Sequence, residues 1–409
     1  MKPRLQRRIV IVGANFAGIA AAQHLDRRYD VTVFDRSPWF EWLPNIHELL
    51  SGVKRVADLR LPRARLVRRA GHRFVRAEVA RIDARRGRAL LAGGKSLEFD
   101  ACIVAVGGVH DTFGVRGAER HALAFKGVDD CAGIGRAIAG LRRRGARARR
   151  AQVVIVGGGL EGIEGLGEIL RGERRRRSLD VTLVEAGPRL LPDLPAALDA
   201  RVRAHCAAFD VRFLTRTRVT AVTPRRVRLD SGEVLRSDLT IWTGGSAPSP
   251  LLRASGLATR AGQWAEVTAA LQSRRHANVF VVGDAAALPS PLSKQAYHAL
   301  DMGKCAADNV SRWLAGRPLR RFRAAPKPML VAFGDLDTFL VAGRRVLASP
   351  ALAAAKESIY QLTMAQLDPP FAPATLRAAT TRLRRGASQV ALPTLALLQR
   401  GLPRDTGTA

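Results

Sequence analysis

Ile9-Val10-Ile11-Val12-Gly13-Ala14-Asn15-Phe16-Ala17-Gly18 and Val153-Val154-Ile155-Val156-Gly157-Gly158-Gly159-Leu160-Glu161-Gly162 carry the reading of the fold. Each stretch is a β-branched run, then closely spaced glycines, then an Ala/Leu/Glu-rich segment. That order reads as strand, tight turn and helix N-terminus. Such a turn aims backbone N–H groups and the positive end of a helix dipole at a pyrophosphate. Either loop alone also reads as a chance glycine-rich turn. Two matched loops on one chain read as two dinucleotide sites.

The strand after each loop strengthens that reading. Asp30-Val31-Thr32-Val33-Phe34 ends on Asp35, and Asp180-Val181-Thr182-Leu183-Val184 ends on Glu185. A carboxylate there accepts both hydroxyls of an adenosine ribose and repels a 2′-phosphate. Glu185 therefore favours NADH over NADPH, while nearby Arg189 leaves room for the phosphorylated form. The first loop departs from the usual pattern at its middle glycine, which is Asn15. Asn tolerates unusual backbone angles and its amide can donate a hydrogen bond, so the site reads as modified and retained.

The 409 residues are enough for two or three domains, and a hydrophobic share of 47% excludes global disorder. The formal net charge is +32, and lysine stands only at positions 2, 54, 95, 126, 294, 304, 327 and 356. Arginine thus supplies nearly all of the charge. Coding bias accounts for part of that excess, but not for the shortage of acids. Such a field attracts anionic lipid or acidic protein, with nucleic acid the less favoured partner. Cys102, Cys131, Cys206 and Cys305 form neither a CxxC nor a metal-binding spacing, which points to a reducing compartment and to no metal. The N-terminal apolar run reads as a nucleotide-binding strand, not as a secretion signal. No stretch has the length of a membrane span. The expectation is a cytoplasmic protein, soluble or peripheral on the cytoplasmic face of the membrane.

Along the chain, Leu97–Gly108 reads as a buried strand closed by glycines, and Val279–Asp284 as another strand. Leu141–Arg150 reads as a charged boundary, and Arg171–Arg177 as an exposed run. A helix is expected over about 295–314, a hairpin over Met329–Val341, and helices near 350–367 and 373–385.

These residues resemble the two-domain FAD/NAD(P) oxidoreductases of the glutathione reductase type, and most of all the type II NADH dehydrogenases, over about residues 8–320. The resemblance implies an α/β fold of two Rossmann-like domains, the NAD domain inserted in the FAD domain. The FAD domain would comprise residues 1–125 and 244–325, the NAD(H) domain 126–243, and a C-terminal helical and hairpin region 326–409. On the FAD side it implies contacts from Gly13, Asn15, Phe16, Ala17, Gly18, Asp35, Arg36, Pro44, the Val79 backbone, Ala105, Gly107, Gly283 and Asp284, with Asp284 on the ribitol. On the NAD side it implies Gly157, Gly159, Gly162, Glu185, Gly244 and Gly245. Glu164 would sit where nicotinamide meets flavin and position the carboxamide. The bland reading of Glu164 and Glu168 is a solvated i,i+4 pair of acids.

The implied chemistry is hydride transfer from NADH to FAD, then electron transfer to a quinone. Where type II enzymes carry paired glutamines on the quinone helix, this chain has Asp301 and Met302. Tyr297 and His298 are the acceptor-side candidates, or else a buried tyrosine and a surface histidine. His47 reads as a packing or helix-surface residue, and Asn45 with Glu48 has capping-box spacing. A small acidic redox protein is the alternative acceptor. A binding role like that of apoptosis-inducing factors is a third reading. A sulfide-oxidising variant would rest on Cys131 and Cys305. Leu376, Ala379 and Leu383 share a helical face near several arginines, which suits a membrane surface, a domain cap or a homodimer contact.

Overall fold

The computed structural model describes residues 6–145 and 149–369. The expected helix near 373–385, with the face of Leu376, Ala379 and Leu383, lies outside those residues. The chain divides into two compact units. One holds the residues up to Pro44 with Arg60–Asp111 and Ser246–Pro326; the other holds Asn45–Leu59, Thr112–Gly245 and the chain from Lys327.

The first unit is built on a five-stranded parallel sheet in the order Val279–Val281, Ala101–Val104, Arg8–Val12, Asp30–Asp35 and Arg73–Arg76. The strand that feeds the first glycine loop is central. Its neighbours leave in opposite directions from it, so its carboxyl end opens at the point where strand order reverses, which is where such sheets bind ligands. Ile9, Ile11, Val31, Val33 and Ile103 are at most 2% exposed, because both faces of a parallel sheet are covered.

Helix Phe16–His24 follows the loop and packs on helix Ala296–Leu314. The contact is made through Gly303, where a Cβ would lie 2.2 Å from the Ala17 carbonyl oxygen. The longer helix agrees with the span read from the sequence.

The second unit repeats the plan. Its parallel sheet runs Leu123–Ala124, Leu239–Trp242, Ala151–Val156, Leu179–Val184 and Val211–Leu214, again with the glycine-loop strand in the middle. Each unit adds an antiparallel three-stranded meander. Past Lys327 the expected hairpin forms between Met329–Phe333 and Asp337–Ala342. A third strand, Arg345–Ala348, and helix Leu352–Leu367 complete it.

Two details differ from the sequence reading. Arg171 lies inside helix Leu160–Glu173, where its Nε stands 3.0 Å from Glu168 Oε2; only Arg174–Arg177 are exposed. The 43–49 segment is a 3-10 helix kinked at Asn45 (φ −124°), so Asn45 and Glu48 form no α-helical capping box. Among the described residues, no helix is long and apolar enough to cross a membrane.

Gly303→Val places two branches against the backbone of the partner helix, and overpacking of this kind costs about 1–3 kcal/mol. The expected result is a lower urea midpoint and melting temperature, and an unchanged midpoint would contradict the close helix crossing.

Candidate functional site

In the first unit the glycine loop is shaped by backbone crowding. Gly13 has φ +94°, and a Cβ on it would lie 2.4 Å from the Ala105 oxygen; one on Gly18 would lie 1.9 Å from the Gly13 oxygen. Glycine alone fits both positions. The loop is anchored by Gly13 N–H donating to Phe34 O and Ala105 N–H donating to Val12 O.

Asp35 reaches across the loop. Its Oδ2 accepts from Ala14 N–H at 2.8 Å, and its Oδ1 accepts from Ser37 N–H at 2.9 Å and from Arg63 Nη1 at 2.6 Å. Arg63, a residue the sequence reading missed, also donates to Ala14 O and Ser37 O. It is 6% exposed, so its charge is paired inside the fold.

Asn15 differs from expectation. Its φ is −100°, an ordinary angle, and its side chain is bonded both ways to the Glu41 backbone, at 3.1 and 3.0 Å. The amide therefore ties strand Trp39–Glu41 to the loop; backbone freedom is not what the position needs.

The other first-unit candidates gather to different degrees. Gly283 turns with φ +65° beside the Ala17 and Ala299 methyls, and Asp284 follows it in the same 3-10 turn. Phe16 meets Trp42 edge-on at 5.5 Å, and Trp42 meets Tyr297 at 6.5 Å. Tyr297 is half-buried and His298 is 5% exposed, so the histidine is not a surface residue. Gly107 turns with φ +61°, and Pro44 lies in the kinked 3-10 segment. Val79 is buried at the start of its strand, whereas Arg36 is exposed.

The loop of the second unit has the same construction. Gly157 has φ +110°, and Cβ atoms on Gly157 and Gly162 would lie 2.7 Å from Thr243 Oγ1 and 2.0 Å from the Gly157 oxygen. Gly159 caps the helix with open space around it. Thr243 Oγ1 donates to the Val156 and Gly157 carbonyls, and Gly244 and Gly245 follow, the latter at φ +88°. Glu185 accepts from the N–H groups of Gly158 and Gly187, both at 2.6 Å.

Arg189 is committed within its own loop. It donates to the carbonyls of Leu190, Leu191, Pro192 and Leu194, so it is not available to a 2′-phosphate. The crowded glycines, the helix N-termini and the strand-end acids in both units fit a dinucleotide diphosphate and ribose.

Glu164 sits in a buried charged cluster. Its Oε1 accepts from Lys356 Nζ at 2.5 Å and from Ala332 N–H at 3.1 Å, and its Oε2 lies 3.4 Å from His47 Nδ1. Lys54 Nζ lies 2.7 Å from Glu357 and 3.4 Å from Glu48, against the Tyr360 ring. Ser51 donates to Glu168, which is 1% exposed. The acids at 164 and 168 are therefore not a solvated pair. A small cleft lined by Glu48, Arg171, Lys356 and Glu357 among others opens beside them.

Burial raises the Glu164 carboxyl above its usual range, against the pull of Lys356. Burial, then Lys356, Arg171 and Lys54, hold the His47 imidazole well below 6.5. The clue in the sequence was the scarcity of lysine, since Lys54 and Lys356 are both buried here.

Cys131 is fully buried, and burial pushes the Cys305 thiol up to about 11. Among the described residues no His/Cys/Asp/Glu group has the arrangement of a metal site.

His47 gives a stability signature in acid. Below pH 6.5 the unfolded chain takes up a proton that the folded chain refuses, so stability falls on acidification. The slope from this group approaches about 1.4 kcal/mol per pH unit. His47→Asn should lose less stability than the parent protein between about pH 6.5 and 5.5 in urea titrations. Equal losses would remove the buried neutral imidazole.

The family of pyridine nucleotide-disulphide oxidoreductases matches residues 7–303. The demethylphylloquinone reductase NdbB of Synechocystis is 28% identical over 375 residues, covering 86% of this chain and 91% of that protein. A type II NADH:quinone oxidoreductase of Staphylococcus aureus is 24% identical over 358 residues, 81% of this chain and 89% of that one. The fold also matches NDH2 of Plasmodium falciparum, solved in complex with NADH, with a TM-score of 0.79 at 15% identity over 97% of this chain and 99% of that one. The duplicated glycine-loop sheet and the span of the family match lead to one assignment: this chain belongs to the pyridine nucleotide-disulphide oxidoreductase family.

Proposed function

We propose that this protein is an FAD-dependent oxidoreductase that takes a hydride from NADH and passes the electrons to a quinone. The observation that carries the proposal is the duplication of one dinucleotide-binding plan on a single chain, each copy with its own strand-end acid. The acceptor is supported by the quinone reductases among the relatives. Residues 1–125 and 244–325 would form the FAD domain and 126–243 the NAD(H) domain.

In this reading Gly13–Gly18 holds the FAD pyrophosphate, Asp35 its adenosine ribose and Asp284 its ribitol. Gly157–Gly162 holds the NADH pyrophosphate and Glu185 the ribose hydroxyls. Bound FAD supplies the two-electron chemistry, and the protein supplies distance, orientation and electrostatics. Arg63 holds the Asp35 carboxylate in its orientation. Glu164 is the candidate for the nicotinamide carboxamide, with Lys356 fixing its rotamer. Tyr297 and His298 are the acceptor-side candidates. A quinone substrate also suits peripheral attachment on the cytoplasmic face of the membrane.

The test is an anaerobic NADH titration of the purified protein, followed by a short-chain quinone. Bleaching of the flavin and rapid recovery are expected. Bleaching without recovery would sink the quinone half, and no bleaching would sink the whole reading. Glu185→Ala should raise the KM for NADH by about tenfold, the worth of one charge-assisted hydrogen-bond pair, and narrow the preference over NADPH. An unchanged preference would take Glu185 out of the ribose site.

A further inference from the structure

The two units differ by one residue where each strand-end acid meets the next strand of its sheet. In the first, Asp35 is in register with Arg76, and its carbonyl accepts from the following residue, Ala77, at 3.0 Å. In the second, Glu185 donates to Leu214 O at 2.8 Å, which sets it level with Thr215 and makes residue 216 the expected donor to its carbonyl. That carbonyl accepts from Thr217 instead, at 3.1 Å. Arg216 is thus one extra residue, a bulge in a parallel pair. Past it the two plans coincide again. Val79 and Val219 each open a meander, at 7% and 8% exposure, and each meander shifts register just after that residue.

Arg216 leaves the ladder at φ +54° and donates its N–H to the Gly187 carbonyl at 2.8 Å. Gly187 in turn gives its own N–H to Glu185. Arg216 is exposed, and its side chain makes no ion pair or hydrogen bond among the described residues. A left-handed backbone is strained by any Cβ, and glycine would make this turn without strain. Arginine is abundant in this chain, but Arg177 alone shares the conformation among the described arginines, and it follows a helix end, where left-handed residues are common. A strained, uncommitted side chain beside the ribose acid points to a ligand.

We propose that Arg216 is the adenine-binding residue of the second nucleotide site, its guanidinium plane lying on the adenine ring of NADH. The proposal rests on the NADH reading above. In the FAD reading the Val79 backbone contacts adenine, and the duplicated plan gives Val219 the same place for NADH, three residues from the bulge. Residues 185–191 and 215–219 contain no aromatic side chain, so stacking on the base falls to arginine, and Arg189 is spent on carbonyls. A guanidinium stacks well on aromatic faces. A 2′-phosphate is the less suited ligand, because it would lie against the Glu185 carboxylate.

The test is equilibrium binding of ADP-ribose, which keeps the adenosine and diphosphate and lacks the nicotinamide. The full-length, FAD-loaded protein is compared with its Arg216→Gly, Arg216→Lys and Arg218→Gln variants. Glycine adopts φ +54° freely, so the melting temperature of Arg216→Gly should hold or rise while affinity falls about five- to tenfold. Misfolding cannot give that combination. Arg216→Lys keeps the charge without the plane and should recover only part of the loss. Arg218→Gln, the neighbouring control for charge, should bind nearly as the parent does. In Arg216→Gly the KM for NADH should rise in step with the loss of ADP-ribose, while that for reduced nicotinamide mononucleotide, which has no adenylate, matches the parent's.

Unchanged ADP-ribose affinity in Arg216→Gly would overturn the proposal and leave the NADH reading standing. Full recovery by lysine would overturn it in favour of a charge for the diphosphate. A loss confined to 2′-phospho-ADP-ribose would overturn it in favour of a phosphate clamp. No ADP-ribose binding by the parent protein would remove the proposal together with the second nucleotide site. Arg216-dependent binding in a protein whose flavin NADH does not bleach would leave the adenine contact standing and remove the NADH reading.

Discussion

Backbone touching backbone is the constraint on which this architecture depends. At Gly13 the Ala105 carbonyl comes so close that a methyl group would stand 2.4 Å from its oxygen, and Gly162 meets the Gly157 carbonyl in the same way. Those contacts let the turn after each central strand fold tightly under the next helix. They set the helix N-terminus over the carboxyl end of the sheet, and so decide where a diphosphate can lie. The acids Asp35 and Glu185 are then brought onto the loop by bonds to its N–H groups, so each loop and its acid are one unit of structure.

Much of this was legible in the sequence because it is local. Strand, glycine spacing and following helix lie within a few residues of one another, and the acid comes one strand later. The 295–314 helix and the 329–341 hairpin were equally readable from periodicity and turn chemistry. What escaped was carried by side chains whose partners are remote or are carbonyls. Arg63 reads as one arginine among many, yet it binds Asp35 and two carbonyls; Arg189 reads as leaving room for a 2′-phosphate, yet its donors are used by its own loop. Asn15 reads as a substitute for a glycine, while its role is to hold the backbone of Glu41.

The charged cluster around Glu164 shows a different balance. Burying ions costs more than surface pairing returns, unless each is matched closely. Here each ion is matched: Lys356 with Glu164, Lys54 with Glu357 and Glu48, and Arg171 with Glu168. Replacing one partner leaves a buried charge uncompensated, and that sensitivity marks the cluster as a place where the fold gives up stability for ordered polarity.

The Lys356–Glu164 bond spans 192 positions of sequence, and that distance has a consequence for biosynthesis. A chain made at about 5–20 residues per second leaves Glu164 without its lysine for roughly 10–40 s after it is synthesised. For that interval the helix after the second glycine loop carries an acid whose buried partner has not yet been made. Helix Leu352–Leu367 brings Lys356 to this cluster, so the cluster is complete only after that part of the chain has been synthesised.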